Sequence, residues 1–347
     1  MCRFRSSFFL AFPLTVITFS TTINDYSRNP NIVSAKKDLL ELSEEVMIPE
    51  SAPGYQLIKP TRIIADQKGN IYVMDSRSAD IKLFDQAGKH KRTFGRSGVG
   101  PGELDNLTDV FISENELGVN CGARQIMSFF SLEGEFLRSI RLPFSLSQVF
   151  GDSKGYVYGI LFNVTSDKEP SLQAIRYAPK EKTHLVFANK RWKEPVPFTA
   201  TITIAHLNHN LIVVGNPDNG YSIQIFNDKG MLVKELKREY NHTKIREDEI
   251  KKMTNMGFSP QAFPKYYEPF YRVYASENGM ILAEVHDKGA EEGFILVDVF
   301  HESGKYYGEI RLPKCVNFFW NNHKFYTIQD DSEGLPVIRV YSVKWNL

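Results

Sequence analysis

The feature that most constrains this chain is a unit of short apolar strands that returns about every 45 residues from Thr61 onward. The first unit reads TRIIAD, QKGN, IYVMD, SRSAD, IKLFD, QAGK and HKRTF (Thr61 to Phe94), that is, four strands separated by polar turns. Five further units follow the same plan, opening on TDVFIS, SQVFGD, TITIAHL, YRVYAS and VNFFWN. Each strand segment is enriched in β-branched and aromatic residues and bounded by Gly, Asn or Asp, as half-buried strands require. The turn glycines Gly88 and Gly134 are one period apart, as are Gly279 and His323 at a second kind of turn. Four short strands in a period of roughly 40 to 50 residues make a propeller blade, whose sheets pack face to face round an axis. Six units predict an all-β fold, a six-bladed β-propeller of four-stranded blades.

The strand count also indicates how the ring closes. The last unit stops after its third strand, VIRVYSV, and an open edge there would leave a row of unpaired backbone groups. Glu45-Val46-Met47-Ile48, just before the first unit, is the candidate donor of the missing strand. The propeller is therefore expected over residues 43–347, with its last blade closed by an N-terminal strand and residues 23–42 as a linker. One segment breaks the pattern between blades four and five, residues 238–269. Within it Thr243 to Met253 has helical character, with Thr243 as the expected cap, Gly257 as the stop, and Ile250, Met253, Met256 and Phe258 as the packing face.

The segment Phe94-Gly95-Arg96-Ser97-Gly98-Val99-Gly100-Pro101-Gly102-Glu103-Leu104 resembles the linker of NHL-type repeats, and Gly69-Asn70-Ile71-Tyr72-Val73-Met74-Asp75 resembles their second strand. The chain as a whole is similar to the bacterial exported six-bladed β-propeller family with NHL-like blades. The clear motif covers Ile63 to about Leu104, and the other blades match in pattern alone. This resemblance implies the fold and leaves the function open, because propellers host many activities.

The amino terminus carries a processing signature. Arg3 and Arg5 precede an apolar run from Phe8 to Phe19, followed by small residues. A run of about twelve apolar residues is too short to span a bilayer, which takes about twenty, and reads as a secretory signal over residues 1–22. An exported protein is expected, periplasmic, cell-surface or extracellular, with no transmembrane span in the mature chain. After such a cut Cys121 and Cys315 remain, too few for a disulfide framework and expected to be unpaired. Lys and Arg total 42 against 41 Asp and Glu, which removes the basic surplus that nucleic-acid binding needs.

Function must then sit on the scaffold's loops and channel. The long loops Phe162 to Ser171, Asp287 to Gly293 and Asp330 to Pro336 join second strands to third ones and share a face with the insertion. Aligning the inner strands on their following turns brings Arg62, Asp109, Gln148, Thr203, Arg272 and Asn317 to one height, a polar ring at the channel mouth. Arg62 and Arg272 suggest a clamp for a carboxylate, sulfate or phosphate, with Asp109 orienting one of them or meeting a ligand amine or hydroxyl. Polar residues would also line a wet channel without any ligand. His206 is the one histidine placed to reach the channel. No Walker loop, nucleophile elbow or dinucleotide fingerprint occurs, and no Cys/His cluster has zinc spacing. The expectation is a monomeric, non-enzymatic scaffold without cofactor or metal, binding a small anion, a glycan, a peptide or another envelope protein. The alternative is a metal-dependent hydrolase or lyase of the propeller lactonase or amidating-lyase type.

Overall fold

The computed structural model describes residues 33–34, 39–163, 169–191, 200–207, 211–240, 242–276, 278–286, 293–321 and 323–347. Six antiparallel sheets form the blades of a propeller, the first five running from the inner strand outward in chain order and the sixth taking its outer strand from the amino-terminal side. In blade one the strands are Pro60–Ala65, Ile71–Asp75, Asp80–Phe84 and His90–Phe94. The inner strands of the others are Leu107–Ser113, Leu146–Gly151, Thr203–Leu207, Arg272–Ala275 and Asn317–Asn321. The all-β, six-bladed class expected from the repeat is the fold observed.

The turn chemistry that marks the repeat has a direct structural meaning. Between the third and fourth strands of blade one, Asp85 accepts the backbone N–H groups of Ala87 and Lys89 at 3.0 and 2.9 Å. Gly88 takes a left-handed φ of 80° there, a conformation that costs glycine no Cβ clash. Ser131 and Asn227 close the corresponding turns of blades two and four in the same way. Each of these hairpins shifts register by a bulge just before the turn, at Leu83/Phe84, Phe129/Phe130 and Ile225/Phe226. A bulge adds local twist, and twist lets neighbouring blades pack as a ring.

The apolar core is divided among the seams between blades, one cluster to each seam. Tyr72, Met74 and Ile81 of blade one meet Val110, Leu117 and Phe130 of blade two. Equivalent clusters fill the other five seams. Every blade is therefore buried on both faces, and none has a core of its own.

Closure comes from Leu40–Ile48, which pairs antiparallel with Pro336–Trp345 as the outer strand of blade six. The strand begins three residues before the expected boundary: residues 40–42, assigned to the linker by sequence, lie in the blade. Leu40 and Leu42 are buried in the seam between blades five and six, while Ile48 is buried in the seam between six and one. Val33–Ser34 adds a short fifth strand, with Val33 opposite Leu42. The expected signal segment, residues 1–22, lies outside the described residues.

The insertion forms a helix over Glu247–Asn255, starting later than expected. Thr243 does not cap it; Arg246 is the N-cap and makes no side-chain capping bond. Three acidic residues, Glu247, Asp248 and Glu249, stand in the first turn instead and favour the positive end of the helix dipole. Met253 is buried as expected. Met256 is 47% exposed and does not join the packing face, because the chain has already left the helix at that residue. The Tyr267 N–H donates to the Thr243 carbonyl at 3.0 Å, which ties the two ends of the insertion together. Of the three long loops, most of the first two falls outside the described residues. The third is a turn closed by Asp331, which accepts from Glu333 and Leu335.

The chain enters blade one over a buried carboxylate. Asp75 is fully buried and accepts the N–H groups of Ile58 and Lys59 at 2.7 and 3.0 Å, with the Lys82 ammonium at 3.5 Å. Burial alone would raise its pKa; the N–H donors from Ile58, Lys59 and Ser78, with the Lys82 charge, bring it below the ordinary value. A folded pKa below the unfolded one stabilises the fold above the unfolded value, about 3.9, and the contribution disappears as pH falls through the folded pKa. Asp75→Asn is expected to cost about 1.5–3 kcal/mol near neutral pH, since it removes the charged acceptor of the Ile58 and Lys59 N–H groups while Lys82 keeps Asp80 at 2.5 Å. In urea titrations its stability should also fall less steeply than the parent's below about pH 4. Deletion of residues 1–48 should remove cooperative melting, because it opens two seams at once; a deletion that melts as the parent does would refute the closure.

Candidate functional site

All six ring residues lie within the first three positions of their inner strands, at the end of the channel facing the insertion. An inner strand has only one neighbour in its sheet, so its other edge turns N–H and C=O groups toward the channel. The ring answers that need. Asn317 of blade six accepts the Ile63 N–H of blade one at 3.1 Å. The Gln148 amide of blade three accepts from the Ile204 N–H of blade four at 3.2 Å and donates to the Ile202 carbonyl at 3.5 Å. Thr203 of blade four accepts from the Val273 N–H of blade five at 3.2 Å. In each case the partner is the residue following the ring position of the next blade, so these three side chains staple successive inner strands.

The remaining three are engaged differently. Arg62 Nε donates to Asp109 Oδ1 of blade two at 3.0 Å, and its Nη1 donates to the Thr61 carbonyl at 2.9 Å. Asp109 thus orients Arg62, one of the two roles expected for it, and a clamp of Arg62 with Arg272 would have to form with Arg62 already paired to the adjacent blade. Asp109 is 5% exposed, and its second oxygen, Oδ2, is buried without a partner among the described residues. Arg272 lies 5.9 Å from the Tyr274 ring centre and directly opposite Glu284 in the strand register. The Tyr274 hydroxyl donates to Glu284 at 3.2 Å. The Tyr274 oxygen, then Glu284, then Asp109 hold the arginine's pKa above its ordinary value, against burial.

Cys315 borders the same cluster as a free thiol, and Cys121 is also free. Burial, then the Glu284 charge, push the Cys315 pKa well up, which keeps the thiol protonated and a poor nucleophile. Above the ring, Tyr267 and Tyr271 stand at the end of the insertion. Tyr267 stacks on His286, which follows the second strand of blade five, and donates to Glu249 of the helix. Burial and that bond push its hydroxyl up to about 12. His206 lies lower on the inner strand of blade four, 5.5 Å from the Phe150 ring. Desolvation lowers its pKa against the opposing Asp152 charge, so it is neutral at pH 7.

Sequence reasoning missed Asn120 and Asn321, which stitch seams from deeper positions. Asn120 Nδ2 donates to the Leu146 carbonyl at 3.0 Å and Asn321 Nδ2 to the Ala65 carbonyl at 3.0 Å. Asparagine inside or ending a strand, against β propensity, was the available signal. Glu284 was missed because its role depends on cross-strand register. Two grooves, of about 390 and 200 Å³, open on the opposite face. His301 and Trp345 line the first, and Asp66 and Arg92 the second. Their polar groups serve turns, as where His301 holds Ser303 at 2.8 Å and Asp66 takes the Tyr72 hydroxyl at 3.2 Å. Among the described residues no three His, Cys, Asp or Glu side chains gather as a metal-ligating group.

The staples carry stability that can be measured. Asn317→Ala strands the Ile63 N–H and should cost about 1–3 kcal/mol in chemical denaturation, the penalty of an unsatisfied buried donor. Thr203→Val, which keeps the shape and removes the acceptor, should behave alike. If both variants unfold at the parent's midpoint, the stapling assignment is wrong.

A family model described as 6-bladed beta-propeller, DUF5128, matches residues 54–289. Among solved structures, the fold resembles a "Putative exported protein" from Bacteroides fragilis NCTC 9343, at 13% identity over 91% of this chain and 98% of that one, with a TM-score of 0.59. It also resembles a member of the duf4221 family from Bacteroides vulgatus atcc 8482, at 13% identity over 89% and 100% of the two chains, with a TM-score of 0.56. A streptogramin B lyase matches at 12% identity over 89% and 98%, with a TM-score of 0.49, too distant to bear on function. A comparison with curated proteins finds no match. The family match spans more than half of the chain, and its six-bladed description agrees with the fold observed: this chain belongs to the 6-bladed beta-propeller family DUF5128.

Proposed function

We propose that this chain is an exported binding protein that holds a small polar ligand at the channel mouth, on the face bearing the insertion. The ring Arg62, Asp109, Gln148, Thr203, Arg272 and Asn317 forms the floor of the site. The observation that carries this reading is the clustering at one end of the channel. Arg272, Tyr274 and Glu284 of blade five stand there beside the aromatic pair Tyr267 and His286 supplied by the insertion and its neighbouring strand. A few convergent polar groups set among aromatic side chains are a usual form of small-molecule site, and a rigid ring holds those groups in place at little entropic cost. Small-molecule, glycan and peptide ligands all fit that description.

Export rests on the signal pattern of residues 1–22, and the fold likeness to the Bacteroides fragilis protein named as exported agrees with it. No helix among the described residues is long and apolar enough to cross a membrane. A reporter active only outside the cytoplasm, fused behind residues 1–22, should be active; an inactive fusion would remove the export half of the proposal.

A thermal-shift screen of small organic anions, oligosaccharides and short peptides should find a compound that raises the melting temperature of the parent. Arg272→Ala should lose that shift by a factor of about 10 or more in apparent affinity, the worth of a hydrogen bond to a charged group. Its unliganded melting temperature should fall modestly, because the contacts to Tyr274 and Glu284 are lost, so affinities are compared at a temperature where both proteins are folded. Compounds that stabilise both proteins equally would place binding elsewhere. Stoichiometric Ca²⁺ or Zn²⁺ in the purified protein would favour the metal-dependent hydrolase or lyase instead.

A further inference from the structure

Resting on that ligand-binding reading, we infer that the ligand is a zwitterion, an amino acid or short peptide whose ammonium group meets Asp109 and whose carboxylate meets Arg272. The inference follows from which hydrogen-bonding capacity at the ring is already used. Gln148, Thr203 and Asn317 are consumed by the backbone of the next blade, and Arg62 by Asp109. The charged capacity not taken up within the ring is one carboxylate oxygen of Asp109 and the guanidinium of Arg272; the Asn317 side-chain N–H₂ adds neutral donors.

The acceptor is Asp109 Oδ2, buried and without a partner among the described residues. Such an atom calls for a donor from outside the fold, because a buried acceptor left unmet is costly. Its isolation has a visible cause. Following the pattern of the other seams, Asp109 would receive the N–H of Val149 in blade three. There the inner strand is bulged: Ser147 pairs with Ile160 and Phe150 with Tyr158, leaving Gln148 and Val149 opposite Gly159 alone. Gln148 takes a left-handed φ of 52°, a conformation that residues bearing a side chain rarely adopt. Gly159 permits the bulge, since a Cβ there would lie 3.0 Å from the Ser147 carbonyl oxygen. Bulges and strained backbone of this kind gather at binding sites. The consequence here is a carboxylate oxygen kept out of the seam's own bonding.

The donors belong to Arg272. Its guanidinium carries five N–H groups, and Tyr274 beside it takes up part of that capacity. Blades two and five are opposite one another in a ring of six, so Asp109 and Arg272 come from opposite walls of the channel. The charges nearby balance, with Arg62 against Asp109 and Arg272 beside Glu284. A ligand with a net charge of either sign would leave an excess in a confined space of low effective dielectric. A ligand carrying one charge of each sign, spaced to reach both walls, leaves none.

Triglycine, N-acetyl-triglycine, triglycine amide, maltotriose and acetate, each titrated calorimetrically into the full chain, test this. Triglycine should bind, and each end-blocked form should bind at least about 10-fold more weakly. Asp109→Asn should weaken triglycine and leave N-acetyl-triglycine unchanged. Arg272→Gln should weaken triglycine and leave the amide unchanged. Arg272→Lys, which keeps the charge, should restore part of the loss and serves as a second variant if Arg272→Gln fails to fold. Preferential binding of maltotriose or acetate that depends on Arg272 would overturn the zwitterion and leave the channel-mouth site standing. Triglycine binding that ignores both Asp109 and Arg272 would overturn the site as well, and so would a failure of all five probes to bind.

Discussion

The pairing of Leu40–Ile48 with Pro336–Trp345 is the interaction on which everything else in this molecule depends. A propeller has no central core; its apolar surface is buried only where one blade faces the next. A blade lacking its outer strand would weaken both of its seams. The closing strand places Leu40 and Leu42 in one seam and Ile48 in the other, so a single strand completes two of the six interfaces. With the ring closed, each inner strand is fixed relative to the others, and groups from opposite blades can be set at a defined separation.

The channel lining shows what such a scaffold has to reconcile. Its inner strands are edges, and edges need hydrogen-bond partners whether or not a ligand is present. Half of the polar ring, Gln148, Thr203 and Asn317, serves that purpose. Asp109 and Arg272 differ because neither gives its side chain to the backbone of the following blade. A seam that does without its staple has to be held by other means, and Asn120, reaching from the second strand of blade two to Leu146, supplies one. On the binding reading proposed above, structural and recognition roles share the same six positions in the sequence, divided by what each neighbour offers.

The architecture was largely legible from the residues. Turn motifs such as Asp85 to Lys89 set a bulged hairpin by local chemistry alone, so their recurrence announced the blades. The strand donor at Val46 to Ile48 was visible as an apolar stretch outside the repeat, yet its start at Leu40 was not, because Leu-x-Leu alternation beside a polar segment is a weak signal. The ring positions could be aligned from sequence, since each precedes its turn by a fixed number of residues. Their bonding could not, because it depends on which backbone groups of the next blade are presented, and a bulge such as that at Gln148 changes this without changing the local pattern. The helix start was misplaced for a similar reason: Thr243 lends its carbonyl to Tyr267 across the insertion, and tertiary pairing overrode its propensity to cap.

Ring closure through the amino-terminal strand also sets an order of events in time. The hairpins of blades one to five join residues close in sequence and can form as the chain is made. Blade six waits for residues whose partners were synthesised first: Glu44 and Arg339 are 295 positions apart. Throughout that interval Leu40, Leu42 and Ile48 have no seam to enter, and the growing arc of blades carries an open face at each end. Those faces are the surfaces through which two unfinished chains would recognise one another, since the groove awaiting the strand in one chain is identical to that in the next. A molecule built this way has a concentration-dependent hazard, strand exchange between copies, confined to the period before its last ten residues are in place. Moving Leu40–Ile48 behind Trp345 in a permuted chain would turn the longest-range pairing of the fold into a hairpin and shorten that period.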